Sequence, residues 1–427
     1  MAAFAVAVFV IAYALIASEK VHRVKAALGG AGLMLLAGVV SFEDAFQSPE
    51  TGVDWEVIFL LLGMMIIVGV LRQTGVFEYA AIRAAKQARG RPFRVMVTLV
   101  VLTAGASALL DNVTTVLLVA PVTLLVCQRL GVPPVPFLIA EVLASNVGGT
   151  ATLIGDPPNI IIASRAGLSF NDFLTNLAPI VVVLVIALLG MCRVLFRKAF
   201  TYDAERVAEV MELDEREALS DRPLLIKAGS VLLAVLAGFV LSSPLGYAPA
   251  AVALLGAGVL VLISGLQPRE YLAEVEAPTL IFFAGLFIMV GALIKVGAIE
   301  QLAEWATDAT GGSARTATFL LLGASAVLSG VVDNIPYVAT MAPLVDSLAA
   351  ETGNPGNVLW WALALGADLG GNATVIGASA NVVMLGIAEK NGYRITFWHF
   401  AKYGSLVTLV TVLLCVPYLY LRYFLLA

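Results

Sequence analysis

Cysteine, histidine and charge are all scarce in this 427-residue chain. Its three cysteines, Cys127, Cys192 and Cys415, lie far apart in apolar runs, with no CxxC and no Cys/His cluster. That spacing excludes a disulfide framework and a structural zinc site, and it gives no thiol constellation for a soft metal. The two histidines, His22 and His399, sit at segment edges without metal-ligand spacing. Only 13% of the residues are charged and the net charge is −5, against about a quarter charged in a soluble domain. A nucleic-acid partner would want a basic excess, so that class is excluded, as is a cytosolic enzyme. No basic residue precedes the apolar run 1–16, so it reads as a first membrane helix and not as a cleavable signal peptide.

What is abundant is apolar surface: 60% of the residues are hydrophobic, and there are 38 glycines. At about 20 apolar residues per crossing, the chain holds about ten spans with short loops. The apolar runs predict spanning helices near 3–18, 25–41, 54–72, 173–196, 224–242, 248–265, 278–296 and 400–424. Two further stretches, 94–130 and 315–349, are interrupted at Asp111-Asn112 and Asp333-Asn334 and read as re-entrant hairpins with polar tips. Two more, 136–165 and 357–388, are broken midway by Gly, Asn, Pro and Thr. Irregular backbone survives at membrane depth only when buried in protein or lining a wet cavity. With the N-terminus outside and both hairpins returning to their own side, all but four of the 25 Lys and Arg residues fall on the cytoplasmic face, as the positive-inside rule asks. The exceptions are Arg165, Lys295, Arg315 and Arg422. The stretch 77–91 reads as an amphipathic helix on the cytoplasmic leaflet.

The chain repeats itself at a single offset. SALLDNVTTVLLVAP (107–121) matches SGVVDNIPYVATMAP (329–343), and VGGTATLIGDPPN (147–159) matches LGGNATVIGASAN (369–381). Gly63, Gly69, Gly75 and Glu78 match Gly285, Gly291, Gly297 and Glu300, always 222 residues apart. The expected architecture is an all-α polytopic membrane protein with two inverted-topology repeats. Repeat 1 covers 1–197 and repeat 2 covers 223–427, joined by a cytoplasmic linker, 198–222, that carries a short helix. Each repeat holds three spans, a hairpin, a broken helix and a last span. Five crossings per repeat is an odd number, so the second is inserted upside down. Inverted repeats with interrupted helices in corresponding positions mark a secondary transporter, and the interruptions point to its binding site.

Those same motifs, with SNVGGTATLIGDPPNIIIAS (145–164) and GGNATVIGASANVV (370–383), resemble the arsenite-pump (ArsB) and NhaD permeases of the ion-transporter superfamily. They are most similar to the branch holding the melanosomal P protein and the plant silicon efflux carriers. The resemblance covers nearly the whole chain. It implies an elevator-type carrier, commonly a homodimer, with a cytoplasmic ATPase as a candidate partner. It implies no cofactor beyond a bound Na⁺ or H⁺ as coupling ion.

Candidate coupling acids are Asp111 and Asp333 at the hairpin tips, then Asp156 and Asp368 at the breaks. An ionisable group inside the membrane is a functional candidate by default. A carboxylate at that depth favours its neutral form and a bound cation favours the charged one, so one acid can exchange a proton for a cation. The alternative for both tip acids is an N-cap on the following arm. Candidate solute or ion ligands are Asn112, Thr115, Asn146, Gly149, Thr150, Thr152 and Asn159, with Asn334, Gly371, Asn372, Thr374 and Asn381 in the second repeat. Their amides, hydroxyls and freed backbone groups both donate and accept. The repeats differ where Asp156 faces Ala378 in register, Asn146 faces Asp368 and Glu141 faces Leu363. The halves thus hold unequal parts of one site, with Glu141 either a site acid or an interfacial residue.

The expected function is secondary active transport across the inner membrane: proton-coupled efflux of arsenite or antimonite, a neutral metalloid hydroxide suited to a site without arginine. A sodium/proton antiporter is the alternative. A sodium-coupled dicarboxylate or other anion transporter fits less well, because the site region shows no Lys or Arg. No enzyme is expected, since no Ser/His or His/Glu set accompanies the aspartates. The expected partners are a small inorganic solute or ion and the lipid bilayer.

Overall fold

Capping residues and turn glycines cut the apolar sequence into helices at the places the pattern marks. The computed structural model describes residues 1–18, 20–201, 204–212 and 214–426, and all regular structure among them is helical. Six helices are long and apolar enough to cross a membrane: Trp55–Gln73, Asn112–Leu130, Ala178–Leu195, Arg222–Ser242, Ala277–Lys295 and Phe397–Leu425. Five shorter apolar helices accompany them, among them Ala2–Ala17 and Pro249–Ser264.

The two halves run through the same elements. The first has Ala2–Ala17, Arg23–Leu36, Trp55–Gln73 and Val76–Gln87, then the arms Pro92–Ser107 and Asn112–Leu130. It ends with the broken pair Val135–Gly149 and Pro157–Ala166, the short Phe170–Asn176, and Ala178–Leu195. The second has Arg222–Leu245, Pro249–Ser264, Ala277–Lys295 and Ala298–Thr310, the arms Ala314–Ser329 and Asn334–Thr352, the broken pair Val358–Gly370 and Ser379–Lys390, and Phe397–Tyr420. Local chemistry explains the shared punctuation. Gly75 and Gly297 turn the chain at φ 74° and 73° after the third long helix of each half. Asp111 and Asp333 cap the second arms. Pro157 and Pro158 sit in the first turn of their helix, where a missing N–H costs nothing.

The halves interlock. The first arm of each hairpin packs on the first broken segment of its own half, but the second arm packs on the second broken segment of the other half. Thus Asn112–Leu130 lies against Ser379–Lys390, and Asn334–Thr352 lies against Pro157–Ala166. The long helices exchange likewise: Trp55–Gln73 packs on Pro249–Ser264, and Ala277–Lys295 on Arg23–Leu36. The buried apolar side chains form two clusters, and each draws residues from both halves.

The linker carries a helix, Ala204–Met211, and a single tight turn, Glu215–Ala218; its residues 202, 203 and 213 lie outside the described residues. It docks on the predicted amphipathic stretch, which is helical over Val76–Gln87. Lys86 pairs with Glu215 at 2.6 Å, and Ser220 Oγ donates to the Gln73 carbonyl at 2.7 Å. That ion pair holds the Glu215 carboxyl below the usual glutamate range. Elsewhere Lys295 pairs with Asp44, Arg165 with Asp346 at 3.3 Å, and Arg72 with Glu274 at 3.4 Å.

Candidate functional site

The site forms where four helix N-termini meet. Asn112 and Asn334 are the first residues of the two hairpin second arms, and Asn159 and Asn381 lie in the first turns of the two second broken segments. Backbone N–H groups at such ends are unpaired and carry a partial positive charge, so acids gather there. Asp111 accepts from the Thr114 N–H at 2.8 Å and from the Thr114 hydroxyl at 2.6 Å. Asp333 accepts from the Ile335 N–H at 3.0 Å and from the Ser379 hydroxyl at 2.7 Å. Both tip acids therefore perform the capping role that their position before Asn suggested.

Asp156 occupies the N-cap position of its helix yet accepts no capping bond from it. Its carboxylate instead accepts from Asn112 Nδ2 at 2.9 Å and from Asn334 Nδ2 at 3.2 Å. One fully buried acid thus gathers the tips of both hairpins. Asn112 also donates to Asn146 Oδ1 at 3.2 Å, and Asn146 Nδ2 donates to Asn372 Oδ1 at 2.9 Å and Asn381 Oδ1 at 3.1 Å. The chain of amides therefore runs unbroken from one half into the other. Asp368 lies beside it, fully buried next to Thr150 and Asn159, and among the described residues neither of its oxygens has a hydrogen bond of good geometry.

The two breaks use the same bonds. Asn159 Nδ2 donates to the carbonyls of Gly149 and Thr152 at 3.4 and 3.0 Å, and Asn381 Nδ2 to those of Gly371 and Thr374 at 2.8 Å each. Thr152 donates to the Ala108 carbonyl at 2.5 Å and Thr374 to the Gly330 carbonyl at 2.6 Å, tying each break to its own hairpin turn. Ser107 and Ser329 donate to the carbonyls of Ser145 and Ala367 at 2.7 and 2.6 Å. Close backbone contact at the breaks needs glycine: a Cβ on Gly155 would stand 2.5 Å from the Gly149 carbonyl oxygen.

Of the residues singled out from sequence, Asn112, Asn146, Asp156, Asn334, Asn372 and Asn381 form one connected network, with Asn159 and Asp368 alongside. The hydroxyls of Thr115, Thr150, Thr152 and Thr374 are committed to backbone carbonyls and serve to hold the scaffold. Glu141 is buried and accepts from the Thr123 hydroxyl, away from the network. Cys127, Cys192 and Cys415 are all free and buried in separate places.

One expectation is overturned. The sequence shows no basic residue near the site, because Arg23 stands among the charges that flank the first loop. The structure brings its guanidinium in: it donates to Ser379 Oγ at 2.7 Å and Thr279 Oγ1 at 3.2 Å, and stands 3.8 Å from the Asp333 carboxylate. The packing of Arg23–Leu36 on Ala277–Lys295 carries it there, a contact between halves that no local pattern reveals. A cavity of about 300 Å³ lined by His22, Arg23, Phe282, Asp333 and Ser379 opens at this point. A smaller, more enclosed one lies between Arg23, Asp111, Glu276 and Ser379. Sequence reasoning also passed over Ser107 and Ser329 as functional positions, although both stand at the head of the repeated SALLDN and SGVVDN motifs.

The citrate transporter family (CitMHS) matches residues 13–366 of this chain. An uncharacterized transporter of Mycobacterium tuberculosis is 59% identical over 428 aligned residues, with the whole of each chain covered. The P protein of Homo sapiens is 33% identical over 94% of this chain and 58% of its own length, which agrees with the branch the motifs resemble. Among solved structures, the Alcanivorax borkumensis YdaH transporter aligns with a TM-score of 0.54 and 16% identity, covering 91% of this chain and 86% of that one. At that identity the likeness concerns the fold alone.

Proposed function

The chain belongs to the citrate transporter family and is a multi-pass membrane transporter; on that premise we propose that it is a proton-coupled secondary active transporter of the inner membrane that exports a small neutral metalloid hydroxide, arsenite or antimonite. The observation that carries the reading is one buried carboxylate, Asp156, held by neutral amides from both hairpin tips. A change of charge or ligand there acts on both halves at once, and a carrier moves only if binding favours one of its arrangements over the other. The surrounding Asn and Thr groups suit a hydroxylated neutral solute, which they meet as both donors and acceptors.

The charge balance supports the same choice. Asp111, Asp156, Asp333, Asp368 and Glu276 gather around the network and cavities, with Arg23 as the basic group lining both cavities. A polyanion entering alone would meet net repulsion. The repeated bonds at one offset support two repeats, and an odd number of crossings in each supports an inverted arrangement; an elevator-like movement of the hairpins rests on the resemblance of the motifs to the ArsB and NhaD permeases. The pairing of Lys295 with Asp44 and of Arg72 with Glu274 supports the count of crossings between them, since each pair then shares a side, and the gathering of Lys and Arg on one face supports the N-terminus outside.

A second reading has one observation in its favour. Arg23 hydrogen-bonded to Ser379 at the cavity wall suits a carboxylate, as the family's name suggests, if cations enter with it to offset the acids. Purified protein in liposomes with an internal pH dye separates the readings. Arsenite or antimonite should each move protons under an imposed gradient, while sodium, lithium and citrate should not. Proton movement with sodium alone would assign antiport, and sodium-dependent uptake of citrate would assign the anion reading; either result sinks the proposal.

A further inference from the structure

The repeat makes one contact in the network anomalous. Asn146 Nδ2 donates to Asn372 Oδ1 and Asn381 Oδ1. The residues 222 positions removed from these three are Asp368, Thr150 and Asn159, and they too are neighbours in the structure. Here, however, the donor amide is replaced by a carboxyl. Asn159 cannot turn to supply a donor, because its Nδ2 already serves the carbonyls of Gly149 and Thr152. The Thr150 hydroxyl proton goes to the Asn146 carbonyl at 3.0 Å. Among the described residues, both oxygens of Asp368 and Oδ1 of Asn159 are therefore acceptors without a well-placed donor, in residues with no exposed surface. A buried charge left without hydrogen bonds is strongly unfavourable. The other ionised groups near the network do not relieve it: Asp156 is the neighbouring acid, with Asp333 and Asp111 beyond, and Arg23 is engaged at Asp333, Ser379 and Thr279.

We propose that Asp368 carries the coupling proton, its carboxyl O–H donating to Asn159 Oδ1 and so completing the contact that the Asn146 amide makes in the other half. The role in transport rests on the proton-coupled reading above; the protonated pair itself does not. One proton from the outer side forms the O–H bond, and the same proton leaves to the inner side when that bond breaks, with the solute crossing in the opposite direction. Loss of the proton sets a charged carboxylate against an amide oxygen and near Asp156. The deprotonated site therefore opens the contact between the Asp368 segment and the break at Asn159, whereas the protonated site closes it.

The test uses the full chain in detergent and in liposomes. Asp368→Asn rebuilds the amide found in the other half, so its Tm should not fall. Infrared difference spectra of wild type minus Asp368→Asn at neutral pH, without solute, should show the C=O stretch of one protonated carboxyl. In liposomes the variant should lose at least tenfold in solute export driven by a pH gradient. Should Asp368→Asn not fold, Asn146→Asp creates the same acid–amide pair in the other half and should add one such band. A spectrum unchanged by Asp368→Asn, or no added band in Asn146→Asp, overturns the proposal. So does a rise in Tm with sodium over choline that Asp368→Asn abolishes, since an alkali ion would then bridge the pair. A wild type that shows the band yet moves no metalloid retains the proton site and removes only the solute assignment.

Discussion

Asp156 shows how much one side chain can decide. It joins Asn112 and Asn334, from hairpins separated by more than half the chain, and its counterpart in the other half is Ala378. Truncation to alanine would leave the Asn334 amide without an acceptor in a buried place. A lost partner of that kind costs about 1–3 kcal/mol. Asp156→Ala should therefore lower Tm measurably and abolish transport, read by thermal unfolding and by flux in liposomes. Asp111→Ala should lose a helix cap, at about 1 kcal/mol, and so change stability more than coupling. Equal loss of coupling in the two variants, at equal stability, would remove the distinction between a capping acid and a bridging one.

At the scale of elements, the breaks are held shut by backbone contact. Gly155→Ala places a methyl group 2.5 Å from the Gly149 carbonyl oxygen and 2.6 Å from that of Ser107. Overpacking of this kind costs about 1–3 kcal/mol and should displace Asp156 from the hairpin tips. Gly105→Ala, in the neighbouring arm with open space around it, should be neutral or slightly stabilising by helix propensity. The pair of Tm values and transport rates checks this. These elements were legible in the sequence because their signals are local: apolar runs for the helices, Asp-Asn for the turns, Gly and Pro for the breaks, and the 222-residue offset for their pairing. The amides of the network were legible for the same reason. Arg23 was not, because its approach to Ser379 depends on how Arg23–Leu36 packs against Ala277–Lys295, and sequence spacing carries no trace of that contact. The exchange of hairpin arms between halves escaped for the same reason.

For the whole molecule, the disposition of charge predicts a testable sidedness. His22 is exposed at the mouth of the cavity that reaches Arg23, and Glu50 is exposed in the loop whose carbonyl receives Arg165 at 3.1 Å. The native cysteines are buried, so the unmodified chain should react slowly with a membrane-impermeant maleimide. His22→Cys should then label from the cytoplasmic side alone and Glu50→Cys from the outside alone. The reverse pattern would overturn the orientation, and labelling of both from one side would overturn the count of crossings between them.

The unlike pair Asp156 and Ala378 also bears on what either half could do alone. A chain built from two copies of the first half would carry two carboxylates at this position, and one built from two copies of the second would carry none. Neither gives one shared acid held by two amides. With unlike residues at this position each half supplies what the other lacks, and neither would form the bridge by pairing with a copy of itself.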